Sequence, residues 1–478
     1  MDATTPRKAG ASGLRLAFLG DDFTGSADAL EALALEGWRC ALFLDPPDAA
    51  TLAGLGPLDA IGVAGEMRSM TPEELHARLP PIVAALAAMP VPLVHYKVCS
   101  TFDSSPAIGS IGVALDIARP FFGDCVVPIV AGAPALGRYC AFGNLHARAA
   151  TDGRVHRLDR HPIMSRHPVT PMAEADLVLH LGAQTTTRIA NLALPQVAQG
   201  AAAALRALED MAAEGCGAVL LDTATTTDLL AIAAMLEAWP RAPGRPLLAI
   251  GSSGLEHALA LRDAEAERPR AAPPPDAGPV RQVLVVSGSA SALGAAQLDA
   301  AFAAGFADVP VDAARLAGDG DWRGAADALV ATGLAALRDG RSVVLHSTKG
   351  TGDPRIAAAL APLLARGMSR AAAMHEVGAR LGHRLGIVAE AILRAHRVPR
   401  LVLCGGDTAS HVARHLAPTA FVVSARLARG APLCRVLSRA PHLDGLEMAM
   451  KGGQMGEADY LLRALHGAPR RDTGMEAT

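Results

Sequence analysis

The sequence predicts an α/β protein of two domains, each built on a mostly parallel sheet flanked by helices, with the active site in the interdomain cleft. Strand-like apolar runs alternate with alanine-rich helical runs from residue 14 to about 264, and the alternation restarts beyond residue 279. Repeated β-then-α order is typical of parallel sheets that are covered on both faces. The length of 478 residues exceeds one ordinary core and independently favours two domains.

The clearest predicted boundary is the segment 265–279, EAERPRAAPPPDAGP, in which charges, prolines and a glycine crowd together. Such a composition is typical of a semi-rigid linker. We therefore expect one domain over residues 14–264 and a second over residues 280–467. The polar residues 1–13 and 468–478 are expected to form terminal tails.

Apolar runs and helical periodicity place the individual elements. In the first domain we expect helices at 27–36, 72–88 and 107–118, and strands at 14–19, 40–44, 60–64, 93–97, 124–131, 177–181, 218–222 and 247–250. In the second domain we expect strands at 283–286, 342–346 and 400–404, and helical segments at 291–304 and 371–395. The polar segment 143–172, rich in His, Arg and Pro, is expected to be an extended functional loop or a small insertion.

The composition narrows the class of protein. Apolar residues make up 51% and charged residues 19%, which suits a soluble enzyme with an extensive core. A net charge of −3 without a basic run argues against a nucleic-acid partner. The sequence shows neither a signal peptide nor a membrane span. The seven cysteines form no C-x-x-C pair, so we expect reduced thiols, no metal site and a cytoplasmic protein.

The first strand ends in two adjacent carboxylates. Gly20 closes the strand, Asp21 and Asp22 follow at once, and a helical pattern begins a few residues later. Open α/β sheets bind ligands at the carboxyl ends of their strands, where paired carboxylates can bind hydroxyls, a metal ion or a proton. The alternative is a helix N-cap aspartate with a solvated neighbour, and the two interpretations are equally well supported by this stretch alone.

Further polar groups follow later strands of the same predicted sheet. Arg68 and Ser69 come after the strand at 60–64, and Arg138 lies beyond the strand at 124–131. An arginine fork suits a carboxylate or phosphate, although Arg68 could instead pair with Glu66 or Glu73 at the surface. The histidines of RHPIMSRHPVTP lack zinc-ligand spacing, and the later QTTT cluster could equally be a helix cap.

The densest polar cluster is YKVCSTFD, at the end of the strand at 93–97. It contains Lys97, Ser100, Thr101 and Asp103. A lysine here can neutralise phosphoryl charge, and the hydroxyls and carboxylate can hold a polyol; Lys97 could also form a structural ion pair with Asp103. Taken together, the strand ends of this domain suit a small, hydroxylated, anionic ligand.

Glycine-rich turns follow the strands of the second domain. They occur in VVSGSASA, LVLCGGDT and MKGGQMG, and HSTKGTGDPR adds a flexible polar loop. Small residues let backbone N–H groups approach an anion, and a helix N-terminus favours phosphate. Three such turns in one domain predict a phosphate or nucleotide cradle. The Walker pattern is missing, so a P-loop NTPase is not expected.

These motifs also carry a family resemblance. GDDFTGSADAL, KVCSTFDSSPAIGSIG, GRY, HPVTPMAEADL, VSGSAS, LCGGDTASH and KGGQMGEADY stand in the order seen in the four-carbon acid sugar kinase family. The chain resembles that family from residue 14 to about 462. The resemblance implies an acid-sugar-binding N-terminal domain, a nucleotide-binding C-terminal domain, and ATP-dependent phosphorylation of the terminal hydroxyl of threonate, erythronate or a 2- or 3-oxo-tetronate.

The resemblance also implies site residues. Asp21 and Asp22 would lie at the hydroxyls of the acid sugar, which would be bound by Arg68, Ser69, Lys97, Ser100, Asp103 and Arg138. ATP would contact Ser287, Ser289, Gly405, Gly406, Asp407, Thr408, Gly452 and Gly453. From the residues themselves we add Thr101 to the substrate-binding set and assign Asp21, Asp22 and Lys97 as the catalytic residues. In-line phosphoryl transfer depends mainly on positioning and charge neutralisation. We hypothesise that Asp22, or failing that Asp21, accepts the hydroxyl proton, and that Arg68 or Arg138 binds the C1 carboxylate. Mg²⁺ is expected to bridge the ATP phosphates without a dedicated metal motif, with Asp407 as the helper.

Two other functions stay open at this point. An NAD-dependent sugar-acid dehydrogenase would fit the sheet architecture, although the G-x-G-x-x-G fingerprint is absent. A non-catalytic sugar-acid sensor would use the same two domains. The sequence does not fix which tetronate is the acceptor, and a homodimer is the default expectation for such an enzyme.

Overall fold

The computed structural model describes residues 13–149, 152–167, 170–428, 430–453 and 455–467. In the first half of the chain, buried strands alternate with helices. Its strands are β1 (Leu16–Gly20), β2 (Cys40–Phe43), β3 (Ala60–Ala64), β4 (Leu93–Lys97), β5 (Val127–Val130), β6 (Arg138–Ala141), β7 (Asn144–Arg148), β8 (Val155–Arg157), β9 (Ile189–Leu192), β10 (Ala218–Leu221) and β11 (Leu247–Gly251). Its helices are α1 (Phe23–Leu35), α2 (Ala49–Gly54), α3 (Pro72–Ala87), α4 (Ile111–Ala118), α5 (Leu177–Gly182), α6 (Leu194–Val197), α7 (Ala201–Ala213), α8 (Thr226–Ala238) and α9 (Gly254–Glu265).

The second half repeats this alternation and adds an antiparallel hairpin. Its strands are β12 (Val283–Ser287), β13 (Ala307–Pro310), β14 (Val343–His346), β15 (Arg400–Cys404), β16 (Ala420–Ala428), β17 (Ala431–Leu437) and β18 (Glu447–Lys451). Its helices are α10 (Ala292–Ala303), α11 (Ala313–Ala317), α12 (Trp322–Arg338), α13 (Pro354–Ala365), α14 (Arg370–Ala395), α15 (Gly406–Leu416) and α16 (Tyr460–His466). No helix in the described part of the chain is long and apolar enough to cross a bilayer.

The strands of both halves join in one sheet. Its order is β13-β14-β12-β15-β18-β17-β16-β2-β3-β1-β4-β11-β5-β10-β9, while β6, β7 and β8 form a separate antiparallel sheet. The junction is an antiparallel bridge in which Phe421 of β16 lies opposite Leu42 of β2. Phe23, at the start of α1, packs edge-on against Phe421 with 5.9 Å between ring centroids. The two halves therefore share both a sheet and an apolar contact.

Each half contains one point where the strand order reverses direction. In the first half, β1 lies between β3 and β4, and in the second half β12 lies between β14 and β15; all of these pairs are parallel. The crevice at such a switch point is where open α/β sheets bind ligands. The topology therefore directs attention to the residues that follow β1, β4, β12 and β15.

The predicted fold class is confirmed: the chain forms two α/β domains whose mostly parallel strands are flanked by helices. Most predicted strands lie within two or three residues of their observed bounds. The single continuous sheet was not predicted, because the β2–β16 pairing joins segments nearly 400 residues apart.

The prediction of a strand at 177–181 is wrong, because these residues form helix α5. Asp176 caps the helix by accepting hydrogen bonds from the N–H groups of Val178 and Leu179. Leu177 and Leu181 are buried whereas Leu179 is exposed, which is the burial pattern of one helical face. A short apolar run cannot be assigned to strand or helix from periodicity alone.

Two other expectations are refined. The helix predicted at 107–118 begins only at Ile111, where Ser110 caps it by accepting from the N–H of Val113. The polar segment 143–172 is an insertion rather than a bare loop, because its described residues contribute β7 and β8 of the small sheet. The two predicted tails lie outside the described residues, except for Gly13.

Candidate active site

A bridging arginine holds the two carboxylates that follow β1. Arg68 Nη2 lies 2.9 Å from Asp21 Oδ1 and 3.0 Å from Asp22 Oδ1, and Arg68 Nε lies 3.2 Å from Asp21 Oδ2. Burial raises the pKa of Asp21 above its ordinary value, although Arg68 opposes that shift. Arg68 is therefore ion-paired within the site rather than with Glu66 or Glu73 at the surface.

Asp22 is both a helix cap and a site residue. Its Oδ1 accepts from the N–H of Gly25 at 2.8 Å, and its Oδ2 accepts from Thr24 Oγ1 at 2.9 Å. The Asp22 side chain is 22% exposed, whereas that of Asp21 is only 6% exposed. The helix-cap interpretation is confirmed for Asp22, although its neighbour Asp21 is buried rather than solvated. Asp22 is the more accessible of the two carboxylates.

Lys97 ends β4 beside these carboxylates. It is buried, and its Nζ lies 4.0 Å from Asp28 Oδ2. Burial acts to lower the pKa of Lys97, but Asp28, Asp22 and Asp21 outweigh it, so the pKa is raised and the ammonium keeps its charge. Asp28 lies inside α1, where the sequence offered no signal beyond a polar residue in a helical pattern.

Gly25 makes room for this arrangement. A Cβ atom at Gly25 would lie 2.2 Å from Asp22 Oδ1 and 2.7 Å from Lys97 Nζ. Both contacts involve the ends of flexible side chains, so a larger residue would displace the two functional groups rather than the backbone. The absence of a side chain therefore lets Asp22 and Lys97 approach the same space.

The loop after β4 adds a second polar group. Thr101 Oγ1 donates to Asp103 Oδ1 at 2.6 Å, and both side chains are buried. Burial acts to raise the pKa of Asp103, but Arg68 and Thr101 outweigh it and lower the pKa. Ser100 is half-buried beside them, whereas Ser69 is exposed and donates to the carbonyl of Glu66. The hydroxyl of Ser69 thus bonds to its own turn and not to the buried polar group.

Arg138 is a cation without a carboxylate partner among the described residues. Its Nη1 donates to the carbonyls of Leu136, Gly137 and Arg148, and its buried Nε has no hydrogen-bond partner. Burial lowers the pKa of Arg138, and the Cys99 thiol of the loop after β4 is close enough to affect it. Arg138 therefore lies next to the polar loop with spare hydrogen-bonding capacity.

The other polar residues singled out from the sequence order the surrounding loops. His161 Nδ1 accepts from the N–H groups of Ile163 and Met164 and so orders its own loop. In the QTTT cluster, Thr185 and Thr187 donate to Asp116, and no helix begins there.

On the nucleotide side, the turns after β12 and β15 interlock. Gly288 N–H donates to the carbonyl of Cys404 at 2.9 Å, and a Cβ at Gly288 would lie 2.0 Å from Thr408 Oγ1. Gly405 has a φ of +105°, a conformation that side chains with a Cβ rarely adopt. Ser287 is buried at the strand end, while Asp407 is exposed in the first turn of α15.

The turn after β18 packs against the turn after β12. Ser291 Oγ donates to the carbonyl of Gly453 at 2.5 Å and lies 3.1 Å from Ser289 Oγ. A Cβ at Gly453 would lie 2.8 Å from Ser289 Oγ, whereas Gly452 is less crowded. The three glycine-rich turns thus form one cluster.

Ser347 belongs to this cluster but was not predicted as a site residue. It is buried after β14, and its Oγ lies 3.5 Å from the position of a Cβ at Gly288. The available signal was the polar loop HSTKGTGDPR, whose first residues follow a strand directly.

The two polar clusters face each other across the junction of the two halves. Thr24, which donates to Asp22, has its Oγ1 4.0 Å from the position of a Cβ at Gly406. The N-termini of α1 and α15 therefore approach one another, with the carboxylates on one side and the glycine-rich turns on the other.

Comparison with known proteins agrees with this division. The family model described as a sugar-binding N-terminal domain matches residues 16–259, and that described as a nucleotide-binding C-terminal domain matches residues 284–461. The chain belongs to the four-carbon acid sugar kinase family. The predicted family is thereby confirmed, and with it the enzyme class, a phosphotransferase with an alcohol group as acceptor.

Curated relatives align over nearly the whole chain. A 3-oxo-isoapionate kinase of Paraburkholderia graminis is 41% identical, covering 94% of this chain and 93% of the relative. A 3-oxo-tetronate kinase of Methylobacterium radiotolerans is 31% identical, with 95% and 99% covered, and a D-threonate kinase of Salmonella typhimurium is 29% identical, with 95% and 98% covered.

A solved structure shares the fold. The crystal structure of a Salmonella typhimurium protein described as a putative tRNA synthase superposes with a TM-score of 0.70 at 23% identity, covering 95% of this chain and 98% of that one. A Haemophilus influenzae protein superposes with a TM-score of 0.66 at 22% identity, covering 94% and 98%. These likenesses concern the architecture alone.

Replacing Gly25 with Ala should separate stability from activity. The new methyl group must displace Asp22 Oδ1 and Lys97 Nζ, so turnover should fall by about two orders of magnitude. Helix propensity favours Ala by about 1 kcal/mol, and the disturbed Asp22 cap costs about as much, so the melting temperature should change little. Steady-state kinetics and thermal melting followed by circular dichroism measure the two effects. Gly378→Ala in α14, where a Cβ meets nothing within 4 Å, is the control and should leave turnover unchanged; normal turnover of Gly25→Ala would contradict the placement of these side chains.

Proposed function

We propose that the protein is an ATP-dependent kinase that phosphorylates the terminal hydroxyl of a 3-oxo sugar acid. The observation that carries this proposal is the approach of the Asp22–Thr24 turn to Gly406 at the start of α15. It brings a carboxylate suited to an acceptor hydroxyl close to backbone N–H groups suited to phosphate.

The choice of a 3-oxo acid rests on the relatives. The 3-oxo-isoapionate kinase is 41% identical, against 31% for the 3-oxo-tetronate kinase and 29% for the D-threonate kinase. We therefore rank 3-oxo-isoapionate first, 3-oxo-tetronate second and threonate third as the acceptor. Nothing in the comparisons favours a dehydrogenase or a silent sensor.

Arg138 is the proposed binding partner of the acceptor's C1 carboxylate. The sequence left Arg68 and Arg138 as alternatives, and the contacts of the two arginines differ. Arg68 is already balanced by Asp21 and Asp22, whereas Arg138 has no carboxylate partner within the described segments. A planar guanidinium with free donors can bind a carboxylate bidentately. Ser100, Thr101 and Asp103 would then contact the hydroxyls between the carboxylate and the reacting end.

Asp22 is the proposed base, because it is the more exposed carboxylate and lies on the side of the nucleotide turns. As the acceptor oxygen attacks the γ-phosphorus of ATP, the bond from phosphorus to the β–γ bridging oxygen breaks, ADP leaves, and Asp22 takes the hydroxyl proton. Lys97 stays protonated beside Asp22 and would offset negative charge on the moving phosphoryl group. Asp21 would hold Arg68 in place.

ATP would occupy the glycine-rich turns, with its phosphates at the N–H groups of Ser289 and Gly406. Gly405, whose N–H donates to the carbonyl of Lys451, would shape the turn. The other residues beside ATP would be Ser287, Thr408, Gly452 and Gly453. No group of three metal-ligating side chains occurs in the described part of the chain. A Mg²⁺ ion bound here would be held mainly by phosphate oxygens and water. Asp407 is the protein carboxylate that would bind it. When bound, Mg²⁺ neutralises phosphate charge. The cytoplasmic location and the homodimer stay predictions of this proposal.

The substrate assignment is tested by ADP release over a panel of acids. We expect turnover with 3-oxo-isoapionate to exceed that with 3-oxo-tetronate, and both to exceed D-threonate and D-erythronate, with no ADP above background without an acceptor. A coupled pyruvate kinase and lactate dehydrogenase assay measures ADP, and mass spectrometry locates the phosphate. A panel in which no acid releases ADP would contradict the kinase proposal, and preference for threonate would contradict only the 3-oxo ranking.

Replacing Asp22 with Asn should remove the base and keep the helix cap, because Asn caps helices as well as Asp does. Turnover should fall by roughly 10²–10⁴-fold, the usual contribution of general base catalysis, while the dissociation constant for ATP changes little. Asp48→Asn, which alters the N-cap of α2 away from the site, is the matched control. If Asp22→Asn is nearly normal and Asp21→Asn is inactive, the proton acceptor is Asp21.

Replacing Arg138 with Gln should weaken acceptor binding selectively. Loss of a charge-assisted bidentate contact should raise the KM for the sugar acid by about 10- to 100-fold, with the KM for ATP unchanged. Arg160→Gln, at a side chain that is 78% exposed on the same insertion, should change neither constant. A large effect of Arg68→Gln on acceptor KM together with a normal Arg138→Gln would reverse the assignment.

A further inference from the structure

Helix α15 carries the nucleotide turn at its start and contacts the first domain along its side. Ser410 and Arg414 are four residues apart and so lie on one face of the helix. Ser410 Oγ donates to Glu66 Oε1 at 2.7 Å, and Arg414 Nε lies 2.9 Å from the same oxygen. Arg414 Nη2 also donates to the carbonyl of Ala64 at 2.8 Å. The Glu66 carboxylate of the first domain therefore accepts a hydrogen bond from Ser410 and forms an ion pair with Arg414 of α15.

The segment that carries Glu66 also carries the arginine of the carboxylate pair. Gly65 N–H donates to the carbonyl of Gly20 at 3.0 Å, and Arg68 N–H donates to the carbonyl of Asp21 at 2.9 Å. A Cβ at Gly65 would lie 2.2 Å from that Gly20 oxygen. The segment is thus closely packed against the end of β1, and Glu66 is two residues from Arg68.

The charge on Glu66 is maintained in this position. Burial acts to raise its pKa, but Arg414, Ser410 and His411 outweigh burial and lower it. Glu66 is therefore ionised at neutral pH, and its link to α15 is a charged one.

Helix α15 is in turn fixed to the second domain. A Cβ at Gly382 of α14 would lie 2.5 Å from His411 Cβ, and a Cβ at Gly386 would lie 2.6 Å from His415 Cβ. Two glycines thus let α14 and α15 pack closely, so that α15 moves with its own domain. A shift of α15 would move Ser410 and Arg414, and through them Glu66.

We propose that Glu66 is a positioning residue that couples nucleotide binding at the start of α15 to the placement of Arg68 and the carboxylate pair. The proposal rests on the proposed function for the identity of the nucleotide and acceptor, although the coupling itself concerns the contacts of Glu66. A ligand that fixes α15 fixes the segment 64–69 through this carboxylate, and Arg68 then holds Asp21 and Asp22 in place for the acceptor. By linkage, the acceptor must favour nucleotide binding by the same factor.

The first measurement needs only a nucleotide. The non-hydrolysable analogue AMP-PNP should slow hydrogen exchange of the backbone amides in residues 64–69 of the wild-type protein, in which Gly65 and Arg68 N–H groups bond to the end of β1. Glu66→Gln removes the charge and keeps a similar shape. In this variant AMP-PNP should still bind, with a dissociation constant within about threefold of wild type, but the added protection of 64–69 should be lost.

The second measurement uses both substrates. In the wild-type protein, the sugar acid should tighten AMP-PNP binding by about fivefold or more, within the usual range of coupling. Glu66→Gln and Arg414→Gln should each bring this factor close to one and lower kcat by about tenfold. The double variant should be no worse than either single variant, because both remove the same contact.

Asp276→Asn is the matched control. Asp276 pairs with Arg426 of β16 at 3.0 Å. This pair is more exposed than that of Glu66 and Arg414, and it joins the linker to β16 rather than α15 to the segment 64–69. The variant should keep both the protection and the coupling factor. Wild-type coupling in Glu66→Gln, or an equal loss in Asp276→Asn, would overturn the role of Glu66. Protection by AMP-PNP in a protein that phosphorylates none of the acids would instead refute the proposed function and leave the positioning role supported.

Discussion

The site depends on one arginine held between two neighbouring carboxylates. Two aspartates at the end of one strand repel each other, and burial makes the charge of Asp21 costly. Arg68 resolves this by contacting both side chains, while its own backbone N–H bonds to the carbonyl of Asp21. The other charged side chains of the site lie around this group of Arg68, Asp21 and Asp22. Lys97 lies beside Asp22 and Asp28, and Arg138 has no carboxylate partner among the described residues.

Under the proposed function, the two arginines of this site have different roles because their surroundings differ. A cation that is already neutralised can orient carboxylates but adds little net attraction for a substrate anion. A half-buried cation without a partner attracts an anion strongly, because its own solvation has been reduced. Arg68 fits the first role and Arg138 the second. Arg68 and Arg138 are the same residue type, so their different roles follow from their different contacts.

The sequence predicted the parts of the site that are local, because polar groups directly after a strand must lie at one edge of a parallel sheet. Asp22, Lys97 and Gly405 were proposed as site residues in this way, and the structure places each of them at the end of a strand. The turn of Asp22 was also correctly described as a helix cap. The partners of Arg138 and the link from Glu66 to α15 could not be predicted, since they depend on contacts between distant segments. Helix α5 was mistaken for a strand because a run of five residues, four of them apolar, carries too little periodicity.

The junction between the domains has a consequence for each half on its own. Strands β2 and β16 meet through the Phe421–Leu42 bridge, and the ring of Phe23 lies against Phe421. If the halves were produced separately, each would present a bare strand edge next to an exposed aromatic ring. Such edges are templates for pairing with other chains and for aggregation. The pairing of β2 with β16, which places the two proposed substrate sites side by side, therefore also covers both strand edges. We expect neither half to be a self-sufficient unit.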